Sequence, residues 1–206
     1  MIEFIENAHI YVQNGVIIPS VSEFLRYVFG DRYKDVPEAI LEKKRDYGTR
    51  VHKYIEKYET DRMGGLYRID KTIRELGVTN IEEQAAFKQY VKLRTANDFR
   101  VMEQEQIVSY DDLFAGRYDM LASVNGAVSL LDIKTVAKLD LEYISWQLSL
   151  YELADLSGVD KYEHLYAIWL PKRGLGELVE VERIDKRILI DKLKEHKNYR
   201  KNQEER

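Results

Sequence analysis

Residues 113–135 read LFAGRYDMLASVNGAVSLLDIKT, two apolar runs joined by Asn125-Gly126. Asn-Gly between two runs rich in β-forming residues is a strong signal for a two-residue hairpin turn. The stretch therefore predicts two antiparallel strands, near residues 113–123 and 128–135. The second strand is apolar and carries its charges only near its end, which indicates a chemical role for that end.

Two carboxylates and a lysine gather at the open end of this predicted hairpin. Asp132 and Lys134 project from one face, because side chains alternate along a strand. Asp119 opposes Asp132 across the ladder, where facing side chains lie about 4.5 to 5.5 Å apart. Carboxylates at that distance repel each other unless a cation lies between them, and oxygen ligands of this kind suit Mg²⁺ or Mn²⁺. An Asp-x-Lys triplet alone is ordinary, so the hypothesis also depends on Gln147 and Tyr151 in the helix that follows.

The whole constellation resembles the PD-(D/E)XK nuclease superfamily, and within it the RecB-type and phage-type exonucleases. Asp119 matches the first acidic motif, with Tyr118 in the place of the usual proline. Asp132-Ile133-Lys134 matches the second motif, in which the first residue is Asp or Glu. The segment from Gln147 to Tyr151 resembles the Gln-x-x-x-Tyr motif, whose spacing of four puts both polar groups on one helix face.

The resemblance implies a metal site with one or two Mg²⁺ or Mn²⁺ ions. Its ligands would be Asp119, Asp132 and the backbone carbonyl of Ile133. Upstream, the segment from Gly48 to His52, with Glu56, resembles the Gly-x-x-x-His-x-x-x-Glu helix of the RecB-type branch, which adds His52 as a ligand. Read without the family, a histidine on a helix is more often an ordinary surface or core residue.

An upstream glutamate is expected to help hold the second cation or its water. Glu105 and Glu103 both lie on the first predicted core strand, and the sequence leaves the choice between them open while favouring Glu105. The catalytic set implied by the resemblance comprises Asp119, Asp132, Lys134, Glu105, Gln147 and Tyr151.

The implied reaction is hydrolysis of a DNA phosphodiester bond, with water as the nucleophile. Lys134 would orient that water or stabilise the phosphate rather than act as a base, because nearby carboxylates oppose the loss of its proton. Gln147 and Tyr151 would position Lys134 or the DNA backbone. Basic residues also gather before His52, and of these Arg45 and Arg50 are expected to contact DNA.

Composition places limits on the protein's class. The 206 residues, 45% of them hydrophobic, can form one sizeable core, so we expect a single domain over residues 1–206. The absence of cysteine excludes disulfides, zinc–thiolate sites and cysteine nucleophiles, and also relatives that carry an iron–sulfur cluster. No apolar run approaches a membrane span and no signal peptide precedes the first strand, so we expect a cytoplasmic protein without a membrane partner.

A formal net charge of −4 is at first sight unfavourable for binding nucleic acid. Carboxylates that hold metal count as negative in this sum, yet they present cations to a phosphate. The acidic balance is therefore weak evidence against a nuclease.

The order of elements indicates an α/β protein of the mixed α+β type. Helices are predicted near residues 20–29, 37–60, 82–97 and 141–157, and from Asp185 onward. Besides the central hairpin, strands are predicted near residues 99–109, 162–170 and 177–183, and a small hairpin over residues 9–18. This order fits a restriction-endonuclease-like αβββαβ core over residues 99–206, preceded by a hairpin and helical extension over residues 1–98.

Among nucleases, the phage-type resemblance favours a DNA exonuclease of recombination or DNA repair. A single-strand or structure-specific endonuclease is the nearest alternative, and a non-catalytic nucleic-acid-binding module is an alternative from another class. Beside DNA, the candidate partners are further copies of this chain and a recombination protein. The sequence selects neither partner, and it leaves the polarity of degradation, the strand preference and the processivity open.

Overall fold

The computed structural model describes residues 2–5, 10–63, 69–155 and 162–205. Its strands are β1 (Ile2–Ile5), β2 (Ile10–Gln13), β3 (Val16–Ile18), β4 (Arg100–Tyr110), β5 (Phe114–Val124), β6 (Ala127–Lys134), β7 (His164–Trp169) and β8 (Glu177–Glu180). Its helices are α1 (Val21–Phe29), α2 (Glu38–Met63), α3 (Ile69–Glu75), α4 (Ile81–Ala96), α5 (Leu141–Ala154) and α6 (Lys186–Glu204). None of the helices in these ranges combines the length and apolar character that crossing a bilayer requires.

The larger sheet has the strand order β4-β5-β6-β7-β8. Strands β4, β5 and β6 form an antiparallel meander, whereas β7 returns parallel to β6 after α5, and β8 pairs antiparallel with β7. The turn between β5 and β6 has positive φ angles at Asn125 (50°) and Gly126 (95°), the geometry that tight hairpins favour. The predicted mixed α+β class and its αβββαβ core are confirmed.

Helices cover both faces of this sheet. On one face α1, α5 and α6 contribute Phe24, Leu148 and Leu193 to a core of buried side chains. On the other face α2 and α4 contribute Val51 and Phe87 to a second core. Helices from the first half of the chain therefore complete both cores of a sheet that is formed by the second half.

The N-terminal strands form a separate small antiparallel sheet in the order β1-β2-β3. The predicted hairpin at Asn14-Gly15 joins β2 to β3, and its first residue, His9, lies outside the described residues. Strand β1 was not predicted from the sequence, and neither was α3. Both are short elements, and β1 has only four residues in which to show a pattern.

Some predicted ends shift by a few residues. Helix α2 extends beyond residue 60 to Met63. Helix α5 ends at Ala154 with Asp155 as its C-cap, and residues 156 and 157 of the prediction lie outside the described part of the chain. Strand β8 ends at Glu180 instead of Arg183, although Val181 N still donates to the Leu165 carbonyl at 2.9 Å. The Arg183 guanidinium donates to the Glu152 carboxylate and the Tyr162 carbonyl.

A close contact at Gly116 positions the start of α1 and the side of α5. Ala115 N donates to the carbonyl of Pro19 at 2.9 Å, which fastens the chain before α1 to β5. A Cβ atom at Gly116 would lie 2.6 Å from Tyr151 Cε1 and 2.8 Å from Val21 Cγ2. Only glycine fits this point, where two helices meet the strand.

We expect Gly116→Ala to destabilise the protein by about 1–3 kcal/mol, because the added methyl group forces two buried side chains apart. Gly48→Ala is the matched control, since its Cβ would contact only the Thr135 hydroxyl, at 3.2 Å, and alanine favours the helix. Urea unfolding of both variants measures the difference. Equal unfolding free energies for the two variants would contradict the packing argument.

Candidate active site

Three carboxylates lie in one row across neighbouring strands of the large sheet. The pairs Gln104↔Met120 and Gln106↔Tyr118 place Glu105 of β4 opposite Asp119 of β5. On the other side, the backbone pairing of β5 with β6 ends at Met120↔Leu131, and the same register continued by one step brings Asp119 opposite Asp132.

Asp119 replaces the backbone pairing that stops at this point. Its Oδ2 accepts a hydrogen bond from the backbone N–H of Ile133 at 2.7 Å. The predicted opposition of Asp119 and Asp132 is thus present in the register, but a side chain takes over from the ladder there. The other oxygen of Asp119 is left to face His52.

His52 reaches the row from α2. Its Nε2 lies 3.2 Å from the carbonyl oxygen of Ile133, and because a carbonyl can only accept, Nε2 carries the proton. In the neutral imidazole with this tautomer, Nδ1 directs a lone pair toward Asp119 Oδ1, 3.6 Å away. Gly48, one turn earlier, brings the helix against Thr135 at the end of β6. Two electron-rich atoms facing each other at this distance favour a proton or a cation between them.

His52, Glu105 and Asp119 form a group that could hold a metal ion. One potential ligand atom from each lies within 4.8 Å of the others, and all three residues are partly buried. The donor set of one imidazole and two carboxylates suits Mn²⁺ or Mg²⁺.

Asp132 lies beside this group and is almost fully buried, with 3% of its surface exposed. Lys134 Nζ is 2.6 Å from Asp132 Oδ2. That contact is an ion pair, and among the described residues the same oxygen accepts no hydrogen bond. Lys134 supplies one positive charge to a buried carboxylate that is also repelled by Asp119, and a further cation would balance the second carboxylate. The Asp132 carboxylate therefore fits a divalent cation.

Helix α5 fixes the position of Lys134. Lys134 Nζ donates to Gln147 Oε1 at 2.9 Å, and Gln147 Nε2 donates to the hydroxyl of Tyr151 at 3.3 Å. The helix starts at its N-cap Asp140, whose side chain accepts from Tyr143 N at 3.1 Å. The structure thus brings together the lysine, glutamine and tyrosine that the sequence placed on two separate elements.

A family model described as the PD-(D/E)XK nuclease superfamily matches residues 24–201. This chain belongs to the PD-(D/E)XK nuclease superfamily. Membership indicates a hydrolytic nuclease that uses a divalent metal, in agreement with the row of carboxylates and its lysine.

Among solved structures, the crystal structure of SSO0001 is similar to this nuclease at 16% sequence identity, covering 71% of this chain and 69% of that chain with a TM-score of 0.35. No curated protein matches the sequence significantly.

Burial and mutual repulsion raise the pKa values of two carboxylates in the row, Glu105 and Asp132. Burial, followed by the negative charge of Asp119, raises the pKa of Glu105 to about 7, although Arg117 opposes the shift. Burial also raises the pKa of Asp132, against the effect of Lys134. Repulsion of this kind is the condition that a bound cation relieves.

Lys134 stays positively charged in this setting. Burial alone would lower the pKa of its ammonium group, but Asp132 and Asp119 outweigh burial and the pKa is raised. A lysine that holds its proton cannot act as a general base near neutral pH. The electrostatics therefore favour the orienting and charge-stabilising role for Lys134.

The two candidate glutamates of β4 have different surroundings. Glu105 has a left-handed φ of 50° and belongs to the possible metal group. Glu103 accepts a hydrogen bond from the hydroxyl of Tyr118 at 2.5 Å and lies outside that group. The register of β4 shifts between Val101 and Glu103, an irregularity that the sequence pattern does not reveal.

The two arginines expected to contact DNA are engaged elsewhere. Arg50 Nε donates to Glu83 of α4 at 2.8 Å, and Arg45 pairs with Glu38 within its own helix. Glu83 is buried and also accepts from the hydroxyl of Tyr54 at 2.6 Å, so Arg50 holds α2 against α4. Neither arginine lines the cleft at the metal group.

The cleft at the possible metal group, which we call the catalytic cleft, has a volume of about 470 Å³. It contains two cations that sequence reasoning missed, Lys53 and Arg117. Arg117 Nε lies 2.8 Å from Glu105 Oε2, and the adjacent positions of Lys53 and His52 were the available signal for Lys53. The lining residues are Tyr11, Ser20, Val21, Ser22, Gly48, Thr49, His52, Lys53, Glu56, Glu105, Gly116, Arg117, Asp119 and Tyr151.

The raised pKa of Glu105 predicts that Glu105→Gln stabilises the metal-free protein at pH 8 but not at pH 4. Below pH 4.5, the ordinary pKa of this carboxyl, the group is protonated in the folded and the unfolded state, so the substitution changes the stability little. Between 4.5 and about 7 only the unfolded chain releases the proton, so wild-type stability falls as pH rises and the cost is complete above 7. After allowance for solvent screening, the gain at pH 8 is on the order of 1 kcal/mol.

Urea unfolding in EDTA at both pH values measures this gain. Glu103→Gln is the control on the same strand, and it should show no gain, because Glu103 lies outside the group of clustered carboxylates and an amide oxygen can still accept the hydrogen bond from Tyr118. An equal change in the Glu105→Gln protein at pH 4 and pH 8 would show that this carboxyl is not strained by its neighbours.

Proposed function

We propose that this protein is a Mg²⁺- or Mn²⁺-dependent deoxyribonuclease that removes nucleotides from DNA ends. The proposal rests on one observation above all, the row of Glu105, Asp119 and Asp132 that ends at the charged Lys134. A purely structural role would not place three carboxylates together where burial and repulsion raise the pKa of two of them.

The residues divide into two candidate ligand sets. His52, Glu105 and Asp119 would hold one cation, with their ligand atoms already close together. Asp132, Asp119 and the carbonyl of Ile133 would hold the second, and the burial of Asp132 beside the negative charge of Asp119 supports this assignment. A bound divalent cation would neutralise charge on the scissile phosphate and make water a better nucleophile.

The remaining groups would orient and stabilise. Lys134, fixed by Gln147, would direct a proton donor at the attacking water or at a phosphate oxygen. Tyr151 would maintain Gln147 in that position through its hydroxyl. Lys53 and Arg117 line the same cleft and would balance the charge of the DNA backbone, a task the sequence assigned to Arg45 and Arg50.

The finer assignment is to the RecB-type and phage-type exonucleases. It is supported by His52 on α2 and by the Gln147 to Tyr151 spacing on α5. From this we propose a cytoplasmic enzyme of DNA recombination or repair that acts as one domain over residues 1–206. Packing of α1 and α4 on opposite faces of the sheet supports the single domain.

We expect Asp132→Ala and Lys134→Ala each to lower the rate of DNA cleavage about 100-fold or more, because the first removes a proposed metal ligand and the second removes a positive charge that would stabilise the transition state. Glu103→Ala is the matched control and should stay within a few-fold of wild type. Initial rates on end-labelled DNA with Mg²⁺ or Mn²⁺ measure the effect, and circular dichroism checks the fold. Full activity in a folded Asp132→Ala protein would exclude the proposed site.

An exonuclease should digest linear DNA and leave a covalently closed circle intact. The measurement is a comparison of digestion of the two forms of one plasmid with Mg²⁺. Digestion of a closed duplex circle or of a circular single strand would instead assign the enzyme to the endonucleases. If wild-type protein cleaves neither form and binds no Mn²⁺ by calorimetry, the non-catalytic binding module is the better description.

A further inference from the structure

A second cleft, of about 260 Å³, adjoins the catalytic cleft. Ser22 lines both clefts, and Lys134 lies in the wall of the second. We call this second space the basic cleft. Its lining includes Arg26, Arg32, Tyr33, Lys134, Lys138 and Tyr143. A DNA strand that passes Lys134 on this side of the carboxylate row enters the basic cleft.

Two cations in the basic cleft have no carboxylate partner among the described residues. Arg26 of α1 and Lys138, between β6 and α5, are both exposed and belong to none of the ion pairs seen there. By contrast, Arg32 pairs with Asp140 and Lys134 pairs with Asp132. Asp31 is the one lining carboxylate that belongs to no ion pair seen there, so the free cations outnumber the free carboxylates in the cleft beside Lys134. In a chain with a net charge of −4, this local positive excess favours an anion.

An exposed aromatic ring completes the cleft. Tyr33 has 58% of its surface exposed although it is a large apolar side chain. Two hydrogen bonds order the backbone of the loop that carries Tyr33. Tyr33 N donates to Asp31 Oδ1 at 3.1 Å, and Val36 N donates to the Tyr33 carbonyl at 2.9 Å. The neighbouring Arg32 is fixed over the ring of Phe29, 4.4 Å from its centroid. An exposed aromatic ring beside cations is an arrangement on which an unpaired base can stack.

We propose that the basic cleft binds a nucleotide of single-stranded DNA next to the scissile bond. Arg26 and Lys138 hold its backbone phosphate, and Tyr33 stacks on its base. A base inside a duplex has both faces covered by its neighbours, so this contact selects an unpaired strand or a frayed end. The inference rests on the proposed function, since it assigns the strand that the catalytic row would cleave.

Binding of a fluorescein-labelled single-stranded oligodeoxynucleotide in EDTA tests this without cleavage. We expect Arg26→Ala/Lys138→Ala to weaken binding at least tenfold at moderate salt. Each neutralised phosphate contributes about 0.7 to the slope of log K against log salt for single strands, and the two cations hold one phosphate, so the slope should become shallower by about 0.7. Lys88→Ala/Arg173→Ala removes the same charge outside both clefts and is the matched control.

The aromatic contact is tested separately. Tyr33→Leu should weaken single-strand binding at least fivefold without changing the salt slope, whereas Tyr33→Phe should bind like wild type. Blunt duplex of the same sequence should lose much less affinity in every variant. Equal affinities in the cleft double variant and its control, or equal losses for single strands and duplex, would overturn the inference. Because no metal is present, these results are independent of cleavage, and the Asp132→Ala assay reports separately on the proposed function.

Discussion

The hydrogen bond from Ile133 N–H to the Asp119 carboxylate is the interaction on which the site depends. It replaces the next rung of the β5–β6 ladder, so both strands keep their direction while a charged group occupies the place of a backbone carbonyl. Asp119 is thereby held between Glu105 on one strand and Asp132 on the other. Flanking strands on both sides make this arrangement rigid, and the helices α2 and α5 then approach a row whose spacing is already set.

Holding like charges together has a cost that the surroundings only partly offset. Lys134 and Arg117 each contact one end of the row, but the pKa of Glu105 and of Asp132 remains raised. The remaining repulsion between the carboxylates is what a divalent cation would remove. Stability without metal is therefore lower than the packing would allow, which is the usual relation between a preorganised charged site and the fold that contains it.

Two clefts meet at Ser22, on either side of the start of α1, and this geometry connects chemistry to substrate choice. The contact of Tyr151 with Gly116 brings α5 close to β5, and the same helix presents Gln147 to Lys134. Lys134 thus belongs to the carboxylate row and to the wall of the basic cleft at once. One partly buried lysine links the place where a phosphate would be cleaved to the place where its neighbour would be held.

Elements whose pattern is local could be predicted from the amino-acid order. The Asn125-Gly126 turn set the register that brings Asp119 opposite Asp132, and the spacing of four put Gln147 and Tyr151 on one helix face. Other features depend on contacts between distant segments. Glu105, a member of the metal group, has a left-handed backbone conformation near an irregular stretch of its strand. Arg50 donates a hydrogen bond to Glu83 of a distant helix. The basic cleft joins α1 to the loop after β6, residues more than 100 positions apart. Local pattern fixes which face a side chain takes, whereas its partner across the fold depends on how distant elements pack.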